Sequence, residues 1–170
     1  NRLIWVDSMT EEYTLREAAR ETRPSGGPYV IAETACAHDG DPDTLRTLLR
    51  EIEPAEPDAI QVEILSPDHQ VTPAHDVYEL IDDLAFSWEV WEEILLELID
   101  MEPEVVVFAY DRPSIEFATQ YDIDGIKLSS ADLSNPEMIE LAADAAVPTT
   151  LSTGGCGLDE IARTVDEYTA

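Results

Sequence analysis

The segment 105–136 has the sequence VVVFAYDRPSIEFATQYDIDGIKLSSADLSNP, and its order of residue types indicates a strand, a helix and a second strand. The runs 105–110 and 125–129 are short and almost continuously apolar or β-branched, as in parallel strands that are buried on both faces. Between them, Asp111 lies close before Pro113, which is the arrangement of a capping residue and a proline in a first helical turn. A helix is therefore expected over 113–121, and one strand-loop-helix unit is followed directly by the next.

Five such units follow one another along the chain. The predicted strands are 29–33, 59–65, 105–110, 125–129 and 149–152, and the predicted helices are 42–53, 88–101, 113–121, 135–145 and 158–168. In the second helix, six residues at helical spacing indicate the face toward the core: Trp88, Trp91, Ile94, Leu95, Leu98 and Ile99. Strict alternation predicts an α/β fold with a parallel sheet and right-handed crossovers, either a barrel or an open doubly wound sheet. Both architectures bind ligands at the carboxyl ends of their strands.

The composition predicts one folded domain with an unusual surface. The 170 residues are 44% apolar, which is enough for one core, and the domain is expected over 29–170 after an N-terminal extension, 1–28, that contains the turn-forming sequence PSGGP at 24–28. The formal net charge of -29 would repel the phosphates of nucleic acids and anionic lipid headgroups, so neither is a predicted partner. There is also no apolar run near the roughly 20 residues of a membrane helix, and a cytoplasmic location is expected.

Lysine is almost absent from this acidic chain. It occurs once, at Lys127, against eight arginines. Many carboxylates and few lysines fit a cytosol rich in potassium chloride, where salt screens the repulsion among the acids. A halophilic protein is therefore predicted, and an ordinary acidic protein with a chance deficit of lysine is the alternative. The two cysteines, Cys36 and Cys156, are expected to be free thiols, because the cytosol is reducing and no cluster of Cys or His has the spacing of a metal site.

Polar side chains follow the predicted strands, and Lys127 is the most informative of them. It lies in a strand that should be buried, where an ammonium group is costly unless it is paired. Its functional interpretation is a cation that binds a phosphate or a carboxylate, and the structural alternative is an ion pair with Asp132 or Glu33. Glu33 could serve as a general base, as a ligand to a hydroxyl group or as the counter-ion of Lys127. His38 could cap the turn that it precedes or take part in acid-base chemistry.

Three segments together resemble the sialic acid synthase (N-acetylneuraminate synthase) family. They are 29–40, which runs from YVIAE to His38-Asp39-Gly40, then 126–135, IKLSSADLSN, and 151–154, LSTG, with Asp58-Ala59-Ile60 between the first two. The likeness covers the chain from residue 29 to its end. It implies a (β/α)8 TIM-type barrel of which about five βα units are present here. It also implies condensation of phosphoenolpyruvate with an N-acetylated amino sugar of the N-acetylmannosamine type, release of phosphate, a divalent metal such as manganese or magnesium, and a homodimer.

The resemblance also assigns roles to individual residues. Glu33, Lys127 and Asp132 would be the catalytic residues, Lys127 and Ser130 would hold phosphoenolpyruvate, and Ser152 and Thr153 would lie near it. The 152–155 turn, STGG, also offers backbone N–H groups to an anion.

The chain departs from the family at the phosphate end of this site. The lysine and glutamine expected on the second strand to hold phosphoenolpyruvate are replaced by Gln61 and Glu63, which are the substrate-binding candidates here. An ionised glutamate would repel a phosphate unless it is protonated or faces a metal. A Ser-Thr pair expected on the third strand is replaced by Val107 and Phe108. These departures favour an alternative, a non-catalytic sugar-binding or assembly paralogue. A separate alternative is a barrel enzyme such as an aldolase that forms a Schiff base on Lys127.

Five strands cannot close a barrel, and the sequence predicts an exposed sheet edge at 149–152. Either the chain is a fragment or another subunit covers that edge. The histidines that bind metal in the family are expected beyond residue 170.

Overall fold

The protein forms one six-stranded sheet that is covered by helices. A computed structural model describes residues 28–169 and, as backbone alone, residues 3–6. The strands are β1 (Leu3–Val6), β2 (Ile31–Glu33), β3 (Ala59–Ile64), β4 (Glu104–Ala109), β5 (Gly125–Leu128) and β6 (Thr149–Ser152). The helices are α1 (Pro42–Ile52), α2 (Pro67–Gln70), α3 (Tyr78–Leu84), α4 (Trp88–Ile99), α5 (Arg112–Ala118), α6 (Pro136–Asp144) and α7 (Leu158–Tyr168). Short 3-10 helices occupy Glu53–Ala55 and Ser130–Ser134.

The five predicted strands are all present and run parallel to one another. Their order in the sheet is β6-β5-β4-β3-β2, and a helix follows each strand, so the chain forms half of a (β/α)8 barrel. This arrangement confirms the predicted fold class.

The expected exposed edge at 149–152 is wrong. Strand β1 pairs with β6 in the antiparallel sense, with Leu3 opposite Ser152 and Val6 opposite Thr149. The backbone groups of β6 are therefore paired within the chain, by four residues of the segment predicted to be an extension. The rest of that segment that precedes Pro28, including the turn residues 24–27, lies outside the described residues, and the division into 1–28 and 29–170 stays a prediction.

The two faces of the sheet differ in chemistry. Alternate residues of β3, β4 and β5 pack against the helices and form the core, including Ile60, Val62, Val107 and Ile126. The residues between them, among which are Gln61, Glu63, Phe108 and Lys127, lie on the opposite face, which is the interior of the half-barrel. The core face of α4 consists of Trp91, Ile94, Leu95 and Leu98. Trp88, which was predicted to join it, is 38% exposed, because it lies in the first turn of the helix and contacts Phe117 instead.

Acidic caps start two helices at the carboxyl ends of strands. Asp41 accepts a hydrogen bond from the backbone of Asp43 at the start of α1. Asp111 accepts two from Ser114 at the start of α5, and its second carboxylate oxygen accepts one from the backbone N–H of Ser66, at 2.7 Å. Asp111 therefore ties the loop after β3 to the loop after β4 and helps to fix the rim of the half-barrel.

No helix within residues 28–169 combines the length and the apolar character needed to cross a membrane.

Candidate functional site

The register of the parallel strands brings the candidate side chains onto one face. Glu63, Phe108, Lys127 and Thr150 are successive partners across β3, β4, β5 and β6, so they form one row near the carboxyl ends. Since paired residues of a parallel sheet point to the same side, all four face the interior of the half-barrel. Glu33 pairs with Gln61 one step behind this row.

Lys127 points into this interior and is mostly buried. Its side chain is 16% exposed, and its Nζ lies 3.3 Å from Oε1 of Glu33 and 4.3 Å from the centroid of the Phe108 ring. The ion pair with Glu33 and the contact with the aromatic face both stabilise the ammonium group. Of the two counter-ions that the sequence left open, the structure places Glu33 beside Lys127.

Asp132 is held by the turn in which it lies. Its Oδ2 accepts hydrogen bonds from the Oγ of Ser129, at 2.6 Å, and from the backbone N–H of Ser129, at 3.3 Å. The bond from the backbone N–H is one half of a capping box at the start of the 3-10 helix Ser130–Ser134, and in the other half the Ser129 side chain accepts from the backbone N–H of Asp132. The carboxylate thus fixes the loop after β5, and its assignment to the reacting centre stays a prediction.

Glu63 is a buried carboxyl group in acidic surroundings. Its Oε2 accepts hydrogen bonds from the Tyr110 hydroxyl, at 3.3 Å, and from Cys36 Sγ, at 3.6 Å. Burial is the main cause that raises the pKa of Glu63, and the nearby Glu33 raises it further, whereas the hydrogen bonds from Cys36 and Tyr110 act in the opposite direction. Burial and the nearby Glu63 also raise the pKa of Cys36, to about 11, and that of Tyr110.

Phe108 and Val107 do not share an environment. Phe108 lies on the site face, between Glu63 and Lys127, and stacks on Tyr110 with 4.2 Å between the ring centroids. Val107 points to the other side, into the core beneath the helices. Consecutive residues of a strand alternate between faces, so of these two positions only that of Phe108 faces the site.

Gln61 carries an unpartnered amide group in this interior. The residue is 3% exposed, and its Nε2 has no hydrogen-bond partner among the described residues. Leaving a buried donor unpaired costs about 1–3 kcal/mol, and such donors usually bind a ligand or an ordered water. Sequence reasoning singled out the position, but the unpaired donor is visible only in three dimensions.

The remaining serine and threonine candidates lie on adjacent loops. Ser152 ends β6 and Thr153 follows it, and both are half-buried. The backbone oxygen of Ser130, in the loop after β5, accepts a weak hydrogen bond from Sγ of Cys156, 3.8 Å away. This contact joins the loop after β5 to the loop after β6. Cys36 and Cys156 are both free thiols.

His38 takes the structural one of its two predicted roles. Its Nδ1 accepts a hydrogen bond from the backbone N–H of Gly40, and its ring packs against Phe86 with 4.5 Å between centroids. Burial lowers the pKa of this imidazole. Gly40 itself has φ +76°, and a Cβ there would lie 2.0 Å from the backbone oxygen of Asp83, so the turn requires glycine.

The described residues do not supply a metal site of their own. Within 28–169, no group of three or more His, Cys, Asp or Glu side chains is arranged to hold an ion. The donor set of this part of the chain therefore does not fit the divalent metal implied by the resemblance.

Comparison with known proteins gives one family and several distant relatives. The model of the NeuB family matches residues 58–170. An uncharacterised protein of Methanocaldococcus jannaschii is 26% identical over 137 residues, which are 78% of this chain and 40% of that protein. The N,N'-diacetyllegionaminic acid synthase of Legionella pneumophila is 24% identical over 153 residues, or 81% of this chain and 43% of the synthase. The chain thus spans less than half the length of either relative.

Solved structures agree on the fold. The N-acetylneuraminic acid synthetase of Leptospira borgpetersenii superposes with a TM-score of 0.77 at 20% identity, over 82% of this chain and 49% of the synthetase. A spore coat polysaccharide biosynthesis protein E from Chromobacterium violaceum gives 0.73 at 18% identity, over 82% of this chain and 45% of that protein. At these identities the likeness establishes the half-barrel architecture.

Proposed function

The chain belongs to the NeuB family, and on this premise we propose that it contributes the donor-binding half of a sialic acid synthase-type active site. The proposed reaction condenses phosphoenolpyruvate with an N-acetylated amino sugar of the N-acetylmannosamine type. C3 of the enol forms a carbon-carbon bond with the sugar aldehyde, water adds at C2, and phosphate leaves.

One observation carries the proposal: the single lysine of the chain points into the half-barrel at the carboxyl ends of its strands. An ammonium group in that position suits the carboxylate or the phosphate of the donor. The unpaired amide donor of Gln61 suits a further oxygen of the same molecule. We assign the second anionic group to Ser130, Ser152 and Thr153, whose loops adjoin.

Glu33 is the proposed proton carrier at the reacting centre. It is 43% exposed, so it can meet substrate, and it lies within 3.3 Å of the ammonium that would hold the donor. A carboxylate so placed can exchange a proton with an oxygen of the bound substrates. Asp132 would act by holding the loop that carries Ser130 rather than by touching substrate.

The test is phosphate release by the full-length protein from phosphoenolpyruvate and N-acetylmannosamine, in molar KCl with manganese. We expect release that requires both substrates and that Lys127→Met lowers by a factor of roughly a hundred or more. The matched control is Arg50→Met, which removes an exposed cation from α1. No release by wild-type protein, or equal loss in both variants, would reject the proposal.

A non-catalytic paralogue that binds a sugar or serves in assembly is the second candidate. Two observations favour it: a carboxyl group and an aromatic ring, Glu63 and Phe108, line the interior, and Lys127 already has a carboxylate partner. It predicts that the wild-type protein binds the amino sugar without releasing phosphate, and calorimetry with N-acetylmannosamine alone measures that binding.

A further inference from the structure

Strand β6 carries two adjacent threonines that lie on opposite faces of the sheet. Thr149 pairs with Ile126 and lies on the core face. Thr150 pairs with Lys127 and faces the interior of the half-barrel. The two residues are 2% and 5% exposed, respectively. A hydroxyl group that is buried to this extent costs free energy unless it forms a hydrogen bond, so each of the two needs a partner.

The two hydroxyl groups differ in their partners. Oγ1 of Thr149 donates a hydrogen bond to the backbone oxygen of Val147, 3.2 Å away. Among residues 28–169, the hydroxyl of Thr150 has no hydrogen-bond partner, and its oxygen is not sealed from solvent. A valine would fill the same place in the strand without this unpaired group, because it has nearly the same shape. The hydroxyl of Thr150 is therefore available to a molecule in the interior.

Thr150 adjoins two groups of the proposed donor site. It is the neighbour of Lys127 on one side, and the neighbour on the other side, Phe108, has no hydrogen-bonding group in its side chain. Ser152 follows two residues later in β6, which is about 7 Å along a strand, and points to the same side of the sheet. Lys127, Thr150 and Ser152 therefore line one side of the interior toward the carboxyl ends of the strands.

We propose that the hydroxyl of Thr150 donates a hydrogen bond to an oxygen of the anion that Lys127 holds, which makes Thr150 a donor-binding residue. The inference rests on the proposed function, in which Lys127 meets the carboxylate or the phosphate of phosphoenolpyruvate. A hydrogen bond from a hydroxyl group to an ionised oxygen is short and strong. The anion would then be held by the ammonium group of β5 and the hydroxyl group of β6, with the ring of Phe108 beside it on β4.

The experiment measures the binding of phosphoenolpyruvate to the full-length protein by calorimetry in molar KCl. Thr150→Val keeps the shape of the side chain and removes its hydroxyl, and we expect its Kd to be roughly tenfold higher or more, the loss typical of one hydrogen bond to a charged group. Thr150→Ser keeps the hydroxyl and should bind nearly as tightly as the wild type. Thr149→Val, which makes the same change on the core face of the same strand, is the matched control and should keep the wild-type Kd.

Initial rates of phosphate release give a second readout. The proposed hydrogen bond is present both in the bound donor and in the transition state. Thr150→Val should therefore raise the KM for phosphoenolpyruvate and leave kcat nearly unchanged.

The outcomes separate this inference from the proposed function. A wild-type Kd in Thr150→Val, or an equal increase of Kd in Thr149→Val, would overturn the inference and leave the proposed donor site in place. An increase in Thr150→Ser as large as that in Thr150→Val would also overturn it, because the shape of the side chain would then matter and not its hydroxyl. Binding with the expected pattern but without phosphate release would reject the proposed reaction and support the inference. If the wild type binds no phosphoenolpyruvate, the donor site at Lys127 and this inference both fail.

Discussion

Two interactions compensate the Lys127 ammonium group for the hydration that it loses on burial: the ion pair with Glu33 and the contact with the Phe108 ring. The partner carboxylate of Glu33 is 43% exposed and still solvated, so the ion pair contributes at most about 1 kcal/mol to folding. The contact with the Phe108 ring adds about 0.5–1 kcal/mol. The stability of the fold thus depends little on the charge of Lys127, whereas an anion at this site would depend on it strongly.

The Lys127→Met variant separates these two roles. Methionine keeps the apolar stem against Phe108, and we expect the free energy of unfolding to change by less than about 1 kcal/mol. Phosphate release should fall by a factor of roughly a hundred or more, because a buried anion without its cation costs several kcal/mol. Urea unfolding and initial rates measure the two quantities on one preparation. A large loss of stability with phosphate release preserved in the folded protein would make Lys127 a structural ion-pair partner instead.

At the scale of single residues, the sequence was enough to predict which side chains lie in the candidate site, but not which groups they contact. The rarity of lysine and the apolar strand around it were enough to place Lys127 in a buried site. The choice between Glu33 and Asp132 was open, because Glu33 lies on β2, three strands from β5 in the sheet, and only the folded structure brings its carboxylate to Lys127. The surroundings of Glu63 were equally inaccessible, since the Tyr110 hydroxyl that donates to its carboxylate lies 47 residues away along the chain.

At the scale of elements, two loops are fixed to each other by Asp111. Its carboxylate is buried and accepts three hydrogen bonds, two at the start of α5 and one from Ser66 across the rim. Asp41 caps α1 in the same manner, but it is exposed and binds residues of its own helix. The two caps have similar local chemistry and differ in burial and in the loop that Asp111 joins.

We therefore expect Asp111→Ala to be the more damaging of the two substitutions. Loss of an N-cap costs typically about 1 kcal/mol, which is the expected effect of Asp41→Ala. Asp111→Ala should cost about 2–4 kcal/mol, since it also leaves the partly buried backbone N–H of Ser66 and the buried Ser114 hydroxyl without an acceptor. Urea unfolding of both variants in the same KCl concentration gives the comparison. Equal losses would mean that the bond between the loops contributes nothing.

The elements that the sequence predicted are those with a clear period or cap. All five βα units appear, and α7 and β6 have the predicted bounds. Helix α3 was missed because Tyr78–Leu84 is only seven residues long and has no fully buried residue. Strand β1 was missed because its pairing with β6 joins residues about 145 positions apart, and no local pattern reports such a partner.

At the scale of the whole molecule, the surface charge dominates. The chain carries 38 acidic and 9 basic residues, and the helix surfaces hold clusters of exposed acids such as Glu79, Asp82 and Asp83 on α3. Their mutual repulsion opposes the compact state. We propose that salt in solution balances these surface acids, as in a halophilic protein.

The free energy of unfolding should therefore rise steeply with KCl. The screening length falls from about 10 Å at 0.1 M to about 3 Å at 1 M, so repulsion between neighbouring surface acids is largely removed over this range. The triple variant Glu79→Gln, Asp82→Asn, Asp83→Asn should be more stable than wild type at the lower concentration and nearly equal to it at the higher one. Sucrose provides the control, since it favours burial without screening charge. Circular dichroism during thermal unfolding gives the midpoint of the wild type in KCl, of the triple variant in KCl and of the wild type in sucrose. A wild-type midpoint that is the same at both KCl concentrations would show that screening of the surface acids does not stabilise this fold. A KCl effect that sucrose reproduces in full would show the same.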